Sequence, residues 1–329
     1  MQRLTITIPT YNRSEALSKT VRQLLPQLTQ ECNLVIVDNA SETPAIVVLG
    51  ELLLAWPDVN IQIHRNRYNV GMCGNFMRCF ELCDTEWLWI LGDDEIPCPD
   101  AIKKIFRQLN SHPDCIFHNF VSPTLRRENR LAMRDIATES VGSADFIRKL
   151  DHFSSIQYIS LNIYKTLCFV KHFSIGVNYS YSLHNFVAMI LSGLEKDGKA
   201  CFSPEVLIPN HGMVQKAWSR IDLALVSCTI LEMPFEKDVR ICLEKKIRAT
   251  FFRLNTTVTI LLDDIKNKRR SADEVRYIFH QICARAYYNA SFTAHVKIAI
   301  YRFIFLLPFF SNILRKTPLI KKILFNEKQ

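Results

Sequence analysis

The chain has 329 residues, a formal net charge of +9, and 48% apolar against 22% charged side chains. That balance excludes a disordered or low-complexity chain, and the length suits one large domain or two modest ones. Seven Lys or Arg meet one acid from Val296 onward, which places most of the net charge there and leaves no broad polar basic patch of the kind a nucleic-acid enzyme carries.

Leu4 to Ile8 predicts a strand ending at Pro9, and the opening apolar run is too short for a signal peptide, so the fold is expected to begin at once. Ser14 opens a helix whose apolar face runs Leu17, Val21, Leu24, Leu25 and Leu28. Leu34 to Val37 reads as a buried strand, and 43–55 as a helix. Val59 to His64 alternates with period two, which suggests a strand nearer the sheet edge. A helix over 74–83, a buried strand over 86–91, a helix over 101–109 and a strand over 115–121 follow.

Strand and helix in alternation predict an α/β fold with a parallel, doubly wound sheet and helices on both faces. Beyond about residue 125 the rhythm weakens. Leu125 to Arg134 is expected to be an exposed basic loop, and Ser154 to Asn178 to complete the unit with strands or short helices. The expected division is a domain over 1–225, with halves 1–125 and 126–225, and a helical region over 226–329. The eleven cysteines form no CxxC pair and fall mostly in apolar runs, as reduced core residues of a cytosolic protein do.

Open α/β sheets bind ligands at the carboxyl ends of their strands. Four polar clusters stand at four such ends: Pro9-Thr10-Tyr11-Asn12-Arg13, Asp38-Asn39-Ala40-Ser41, Asn69-Val70-Gly71 running on to Gly74-Asn75-Phe76, and Gly92-Asp93-Asp94-Glu95. Tyr11 offers a flat face for a base, and Asp38 an acceptor for a base N–H or a ribose hydroxyl. Gly71 and Gly74 permit close backbone approach, and a helix starting there favours phosphate. Asp93 and Asp94 supply hard oxygens for a divalent cation bridging a diphosphate. Taken singly, each cluster reads as an ordinary turn or solvated loop; the coincidence of four carries the reading.

Together these motifs resemble the family 2 glycosyltransferases, which share the GT-A fold, a Rossmann-like, mostly parallel central sheet. The form of the last two resembles a bacterial branch that includes abequosyltransferase-like enzymes of O-antigen assembly. The likeness covers residues 1–125, is loose to about 225, and stops there. It implies a nucleotide-sugar donor, an inverting displacement, and a lipid-linked or oligosaccharide acceptor in surface polysaccharide synthesis. By position it places Pro9, Thr10, Tyr11 and Arg13 around base and ribose, Asp38 on the base, and Asn69, Gly71 and Asn75 beside the sugar nucleotide. Asp93 and Asp94 become an Asp-x-Asp-type site, with Asp94 the direct ligand of Mg²⁺ or Mn²⁺. Glu95 stands where many relatives have a third Asp.

An inverting enzyme needs a group to take the acceptor proton. Relatives carry an acidic pair opening a helix in the acceptor half; here Gly176 to Phe186 has no acid, and His184 is its one strong base. A bond to a backbone carbonyl is the other use for that imidazole, and Glu195 and Asp197 are alternative bases on the next loop. His211, Trp218 and Arg220 follow a proline-punctuated loop that suits an acceptor or phosphate, with Trp218 equally at home in a core.

The tail over 296–329 interleaves apolar residues with Lys and Arg, and Val296 to Phe310 is too short to span a bilayer. It fits a helix lying on an anionic membrane at the inner face of the plasma membrane, or one packed on protein. A non-catalytic nucleotide-sugar-binding scaffold is the rival class, opposed by the intact acidic cluster. An NAD-dependent oxidoreductase lacks its Gly-x-Gly-x-x-Gly turn, since Pro9-Thr10-Tyr11-Asn12 stands there.

Overall fold

The computed structural model of the chain describes residues 2–57, 59–128, 131–209, 220–251 and 254–306. It divides into two compact units, 1–216 and 217–329. The sequence boundary of 225 falls inside one helix, Arg220–Thr229.

In the first unit the expected alternation is present. Strand β1 (Leu4–Thr10) leads to α1 (Ser14–Leu24), β2 (Cys32–Asp38) to α2 (Ala45–Leu54), and β3 (Ile61–Arg65) to α3 (Gly71–Glu81). Then come β4 (Trp87–Ile90), α4 (Ala101–Ser111) and β5 (Phe117–Val121). The cause is local patterning: Leu17, Val21 and Leu24 recur at helical spacing and are buried, while β2 is buried at every position, as an interior strand must be. The period-two segment became β3, at the edge.

The sheet has eight strands in the order β3-β2-β1-β4-β7-β5-β8-β6, with β6 (Thr138–Val141), β7 (Asn162–Lys165) and β8 (Lys199–Val206). It is mixed: the expected parallel strands make up most of it, and two antiparallel strands are added. Strand β7 enters antiparallel between β4 and β5, and β6 runs antiparallel to β8. Direction and partner are set by where the chain returns, and a four-residue strand carries no pattern that states either.

The intervening helices are α5 (Pro123–Glu128), α6 (Gly142–Lys149), α7 (Ser154–Gln157), α8 (Thr166–Val170), α9 (Phe173–Asn178) and α10 (Asn185–Leu194). Two basic residues of the expected exposed loop, Arg126 and Arg134, are instead turned inward, and both reach Asp151. Arg134 also donates to the Asn119 carbonyl at 2.8 Å and to Asn119 Oδ1 at 2.9 Å, and lies over the Phe202 ring. A guanidinium can be enclosed when its N–H groups find acceptors, and this one does.

The core on one side holds Trp89, Leu34, Ile36 and the faces of α1 and α4. The later strands build an aromatic region in which Phe146 stacks on Phe202 at 5.1 Å and Phe117 meets Tyr164 at 5.4 Å. All eleven cysteines are free, most of them buried.

The second unit is helical: α11 (Arg220–Thr229), α12 (Lys237–Phe251), α13 (Leu254–Lys266), α14 (Ala272–Ala286) and α15 (Phe292–Leu306). Glu244 is fully buried and satisfied by Arg240, Arg248 and Asn289. Ser271 and Glu274 form a capping box that starts α14. On α15, Ile298, Tyr301 and Phe305 face inward, and Phe279 of α14 packs on the last two. Phe292, Val296, Ile300 and Phe303 are exposed. Among the described residues no helix is long and apolar enough to cross a membrane. His211, Trp218, the Arg220 side chain and residues 307–329 lie outside the description, and with them most of the tail.

Candidate active site

Parallel register places the strand ends side by side: Thr10 pairs with Asp38, and Asp38 with Arg65. Leu91 N donates to Thr7 O at 2.9 Å, so the chain leaving β4 also passes the end of β1. The first two loops are stitched together, Asn12 N donating to Ser41 Oγ at 3.0 Å and Glu42 N to Asn12 Oδ1 at 2.8 Å. Asn12 and Ala40 adopt positive φ at the tight turns this requires.

Asp38 is completely enclosed. Its oxygens accept from Ser41 N at 2.8 Å, Ala45 N at 3.1 Å and Arg65 Nη1 at 2.7 Å. Burial alone would raise this carboxyl, but those bonds outweigh it and hold it below the ordinary range. The sequence reading turned Asp38 toward a base; the structure turns it into its own loop.

The third loop is fixed by asparagines. Asn39 Nδ2 donates to Asn69 Oδ1 at 2.8 Å, and Asn39 Oδ1 accepts from Asn66 Nδ2 at 3.0 Å and Val70 N at 2.9 Å. Asn66 Nδ2 also reaches Asn75 Oδ1 at 2.9 Å, and Asn75 Nδ2 donates to Val37 O at 3.0 Å. Asn75 is therefore buried framework, while Asn69 and Gly71 stay exposed on the loop. Gly71 has φ +75°, which a side chain would strain.

The fourth loop carries the charge. Thr10 Oγ1 donates to Asp93 Oδ2 at 2.8 Å, and Arg13 Nη1 bridges Asp93 Oδ1 at 3.2 Å and Asp94 Oδ2 at 2.7 Å. Thr20 Oγ1, with one proton to give, lies within hydrogen-bond distance of the carbonyls of Asp93 and Glu95, and Gly92 N donates to Ser160 Oγ. Burial raises the Asp93 carboxyl and outweighs its bonds to Thr10 and Arg13. Burial pulls the other way on Arg13, yet the two carboxylates raise it. Thr10, Arg13, Asp93 and Asp94 thus form one cluster, in which Arg13, expected near base and ribose, is paired with the two acids. Pro9 stays in the strand, Tyr11 is 45% exposed beside the cluster, and Glu95 is buried.

Among the described residues no three acidic, His or Cys side chains converge as a metal cage. The acidic pair fits a cation that completes its shell from a diphosphate, as Mg²⁺ commonly does. Asp94 is the more open of the two, its side chain 25% exposed against 8% for Asp93.

His184 is the N-cap of α10 and is buried, its ring edge-on to Phe153 and Phe186. Its Nε2 lies 2.8 Å from Gln157 Nε2, so the sequence alternative of a backbone carbonyl is replaced at that atom by a side-chain amide. Burial drives the imidazole down to about 4. Its neighbour Asn185 donates to the Cys73 carbonyl in α3. Glu195 and Asp197 stand past the far end of α10, next to Lys199 where β8 begins. That is the amino end of the strands, so neither can serve a site at the carboxyl ends.

Thr20, Ser160, Asn39, Arg65 and Gln157 went unnoticed as supports. Thr20 alone left a signal, a polar residue on the buried stripe of α1 that must find a partner.

The family model described as Glycosyl transferase family 2 matches residues 5–166. The chain carries a domain of glycosyl transferase family 2. All four clusters lie inside that family 2 domain. The chain is also 30% identical over 112 residues to the abequosyltransferase RfbV of Salmonella typhimurium, a stretch spanning 32% of this chain and 32% of that protein. Among solved structures, residues 1–349 of S. aureus TarS in complex with UDP-GlcNAc match with a TM-score of 0.59 at 13% identity, over 87% of this chain and 83% of that one. The mannosyltransferase PcManGT of Pyrobaculum calidifontis, in complex with GDP-Man and Mn²⁺, matches with a TM-score of 0.53 at 14% identity, over 99% and 88%. Likeness at that identity establishes the α/β, GT-A-like fold around the family 2 domain.

Proposed function

We propose that the chain is an inverting glycosyltransferase that moves a hexosyl or deoxyhexosyl group from a nucleoside diphosphate sugar to a saccharide acceptor. The observation that carries this is the Thr10–Arg13–Asp93–Asp94 cluster at the carboxyl end of β1 and β4, beside the loops of β2 and β3. In this reading Tyr11 stacks on the base, and Asn69 and Gly71 present loop edges to the donor. Asp38 and Asn75 keep those loops in place from within.

The acceptor hydroxyl oxygen attacks the anomeric carbon while the bond from that carbon to the diphosphate oxygen breaks. The nucleoside diphosphate leaves with the electron pair, and the hydroxyl proton passes to His184. An imidazole held at about 4 has the proton affinity of an ordinary carboxylate, the group that relatives carry in this region. A divalent cation, Mg²⁺ or Mn²⁺, held by Asp94 and in part by Asp93, would neutralise charge developing on the diphosphate.

The acceptor in this reading is lipid-linked and the product a bacterial surface polysaccharide, made at the inner face of the plasma membrane. The outward row Phe292, Val296, Ile300 and Phe303 on α15, with Lys297 and Arg302 on the same helix, supports an interfacial docking helix. Flotation with anionic liposomes tests that part: full-length protein should float and a chain ending at 291 should not. If neither protein floats, the membrane leaves the reading; if both float, the docking helix does.

The test of the activity is nucleotide release from UDP-, GDP-, CDP- and dTDP-sugars with Mg²⁺ or Mn²⁺. One donor should turn over, and Asp94→Asn should abolish its turnover. Neither release nor binding with any donor would overturn the assignment.

A further inference from the structure

We propose that Arg13 is a built-in counter-ion that keeps the Asp93–Asp94 pair from taking up a divalent cation alone, and that an arriving nucleoside diphosphate draws the guanidinium away, coupling nucleotide binding to cation binding. This rests on the donor reading above. One nitrogen, Nη1, lies 3.2 Å from Asp93 Oδ1 and 2.7 Å from Asp94 Oδ2. It therefore sits between the two oxygens that a shared cation would use. The other Asp93 oxygen is held by Thr10. With Arg13 in place, half of the pair's charge is balanced and a metal is offered little beyond the second Asp94 oxygen.

The geometry also gives Arg13 somewhere to go. Its side chain is 40% exposed, and it precedes α1 on the rim of a cleft of about 490 Å³ shared with Ser14, Lys19, Asp94 and Ile96. A diphosphate brought to this rim meets a planar guanidinium whose paired N–H groups match phosphate oxygens, with Lys19, itself paired with Glu15, on the same wall. Released from Asp93 and Asp94, Arg13 can pair with the diphosphate while the acids receive the cation. Two cations competing for one acidic pair exclude each other. Once the diphosphate adds its own negative charge, both have partners. Thermodynamic linkage then requires nucleotide and metal to strengthen each other equally.

The experiment is Mn²⁺ binding followed by the EPR signal of the free ion, on the full-length protein with and without each of UDP, GDP, CDP and dTDP. Wild type should bind Mn²⁺ weakly alone and about tenfold or more tightly with its cognate diphosphate, within the usual range of coupling. Arg13→Gln should bind Mn²⁺ alone about tenfold more tightly than wild type and lose most of that coupling. Arg13→Lys, which keeps the charge, should stay near wild type. Equal Mn²⁺ affinity of wild type and Arg13→Gln without nucleotide would overturn the proposal. If Arg13→Gln does not fold by thermal melting, Arg13→Met replaces it, and absence of metal–nucleotide coupling in wild type overturns the proposal by itself. If no nucleotide binds any variant, the donor reading and the coupling fall, while the Mn²⁺-only comparison still decides whether Arg13 excludes the cation.

Discussion

Asp38 Oδ2 accepts a hydrogen bond from Arg65 Nη1 at 2.7 Å, across two neighbouring parallel strands. Arg65 Nη2 reaches on to the Ser41 carbonyl at 2.7 Å, and Ser41 Oγ in turn receives Asn12 N. One carboxylate therefore organises the end of β2, the edge strand β3 and the turn after β1. Its role is exerted through the loops whose surfaces face the donor.

Replacing Arg65 by Met should remove that tie while keeping the side-chain stem. Asp38 would remain buried with only its two backbone donors, and we expect a loss of about 2 kcal/mol in urea unfolding. Because the folded Asp38 carboxyl lies below its ordinary value, its stabilisation is complete above the unfolded value near pH 4 and is lost as pH falls through the folded one. Arg65→Met should accordingly show a shallower acid loss than wild type. Identical urea midpoints at pH 7 would mean that the ion pair contributes nothing.

His118 gives a second acid sensitivity, of the same sign but setting in at higher pH. It is the second residue of β5, fully buried against Trp87, and among the described residues neither ring nitrogen has a hydrogen-bond partner. Burial lowers its pKa from 6.5 to about 3. Between those values the unfolded chain takes up a proton that the folded chain refuses, so stability falls as pH drops through that window. The loss from this one group should be on the order of 2 kcal/mol between pH 7 and pH 5. His118→Phe should retain the contact with Trp87 and remove that share of the slope. A variant whose melting temperature falls as steeply as wild type over this range would assign the acid lability elsewhere.

The parts of the molecule that could be read in advance are those set by neighbours in sequence. Alternating strand and helix, the edge position of β3 and the four clusters at strand ends all follow from periods and turn residues. What escaped depends on the return of the chain from a distance. The antiparallel insertion of β7, the inward turn of Arg126 and Arg134 onto Asp151, and the use of Asp38 inside its own loop have no local signature. Arg13 is the instructive case: its charge marked it as functional, but only the fold could show that its partners are Asp93 and Asp94, some eighty residues away.

Thr20 tests whether the acidic loop is positioned from behind. Its hydroxyl is buried on α1 and lies within hydrogen-bond distance of the carbonyls of Asp93, at 2.9 Å, and Glu95, at 3.1 Å. Thr20→Val preserves shape and removes the donor, leaving those carbonyls short of a partner at a cost of about 1–2 kcal/mol. The loop should loosen without losing any charged group. We expect kcat to fall while Mn²⁺ affinity in the presence of nucleotide drops severalfold, with Thr20→Ser restoring both. Failure of serine to rescue would assign the effect to packing and not to the hydrogen bond.

His184 is where the mechanism is most exposed to experiment. The residue stands at the N-cap of α10 with its ring between Phe153 and Phe186, on the end of that helix away from Glu195 and Asp197, so those acids offer no substitute. If it accepts the acceptor proton, His184→Ala should lower kcat by about 10²–10⁴, the usual contribution of a positioned base. Nucleotide affinity should change little, because the donor contacts come from other loops. The base must be unprotonated to act, and its pKa is about 4, so kcat/KM for wild type should hold through neutral pH and fall only as pH approaches that value. A purely structural His184 would instead show lower thermal stability with turnover per folded molecule preserved. Near-normal turnover of His184→Ala with a good acceptor would eliminate the imidazole as the base.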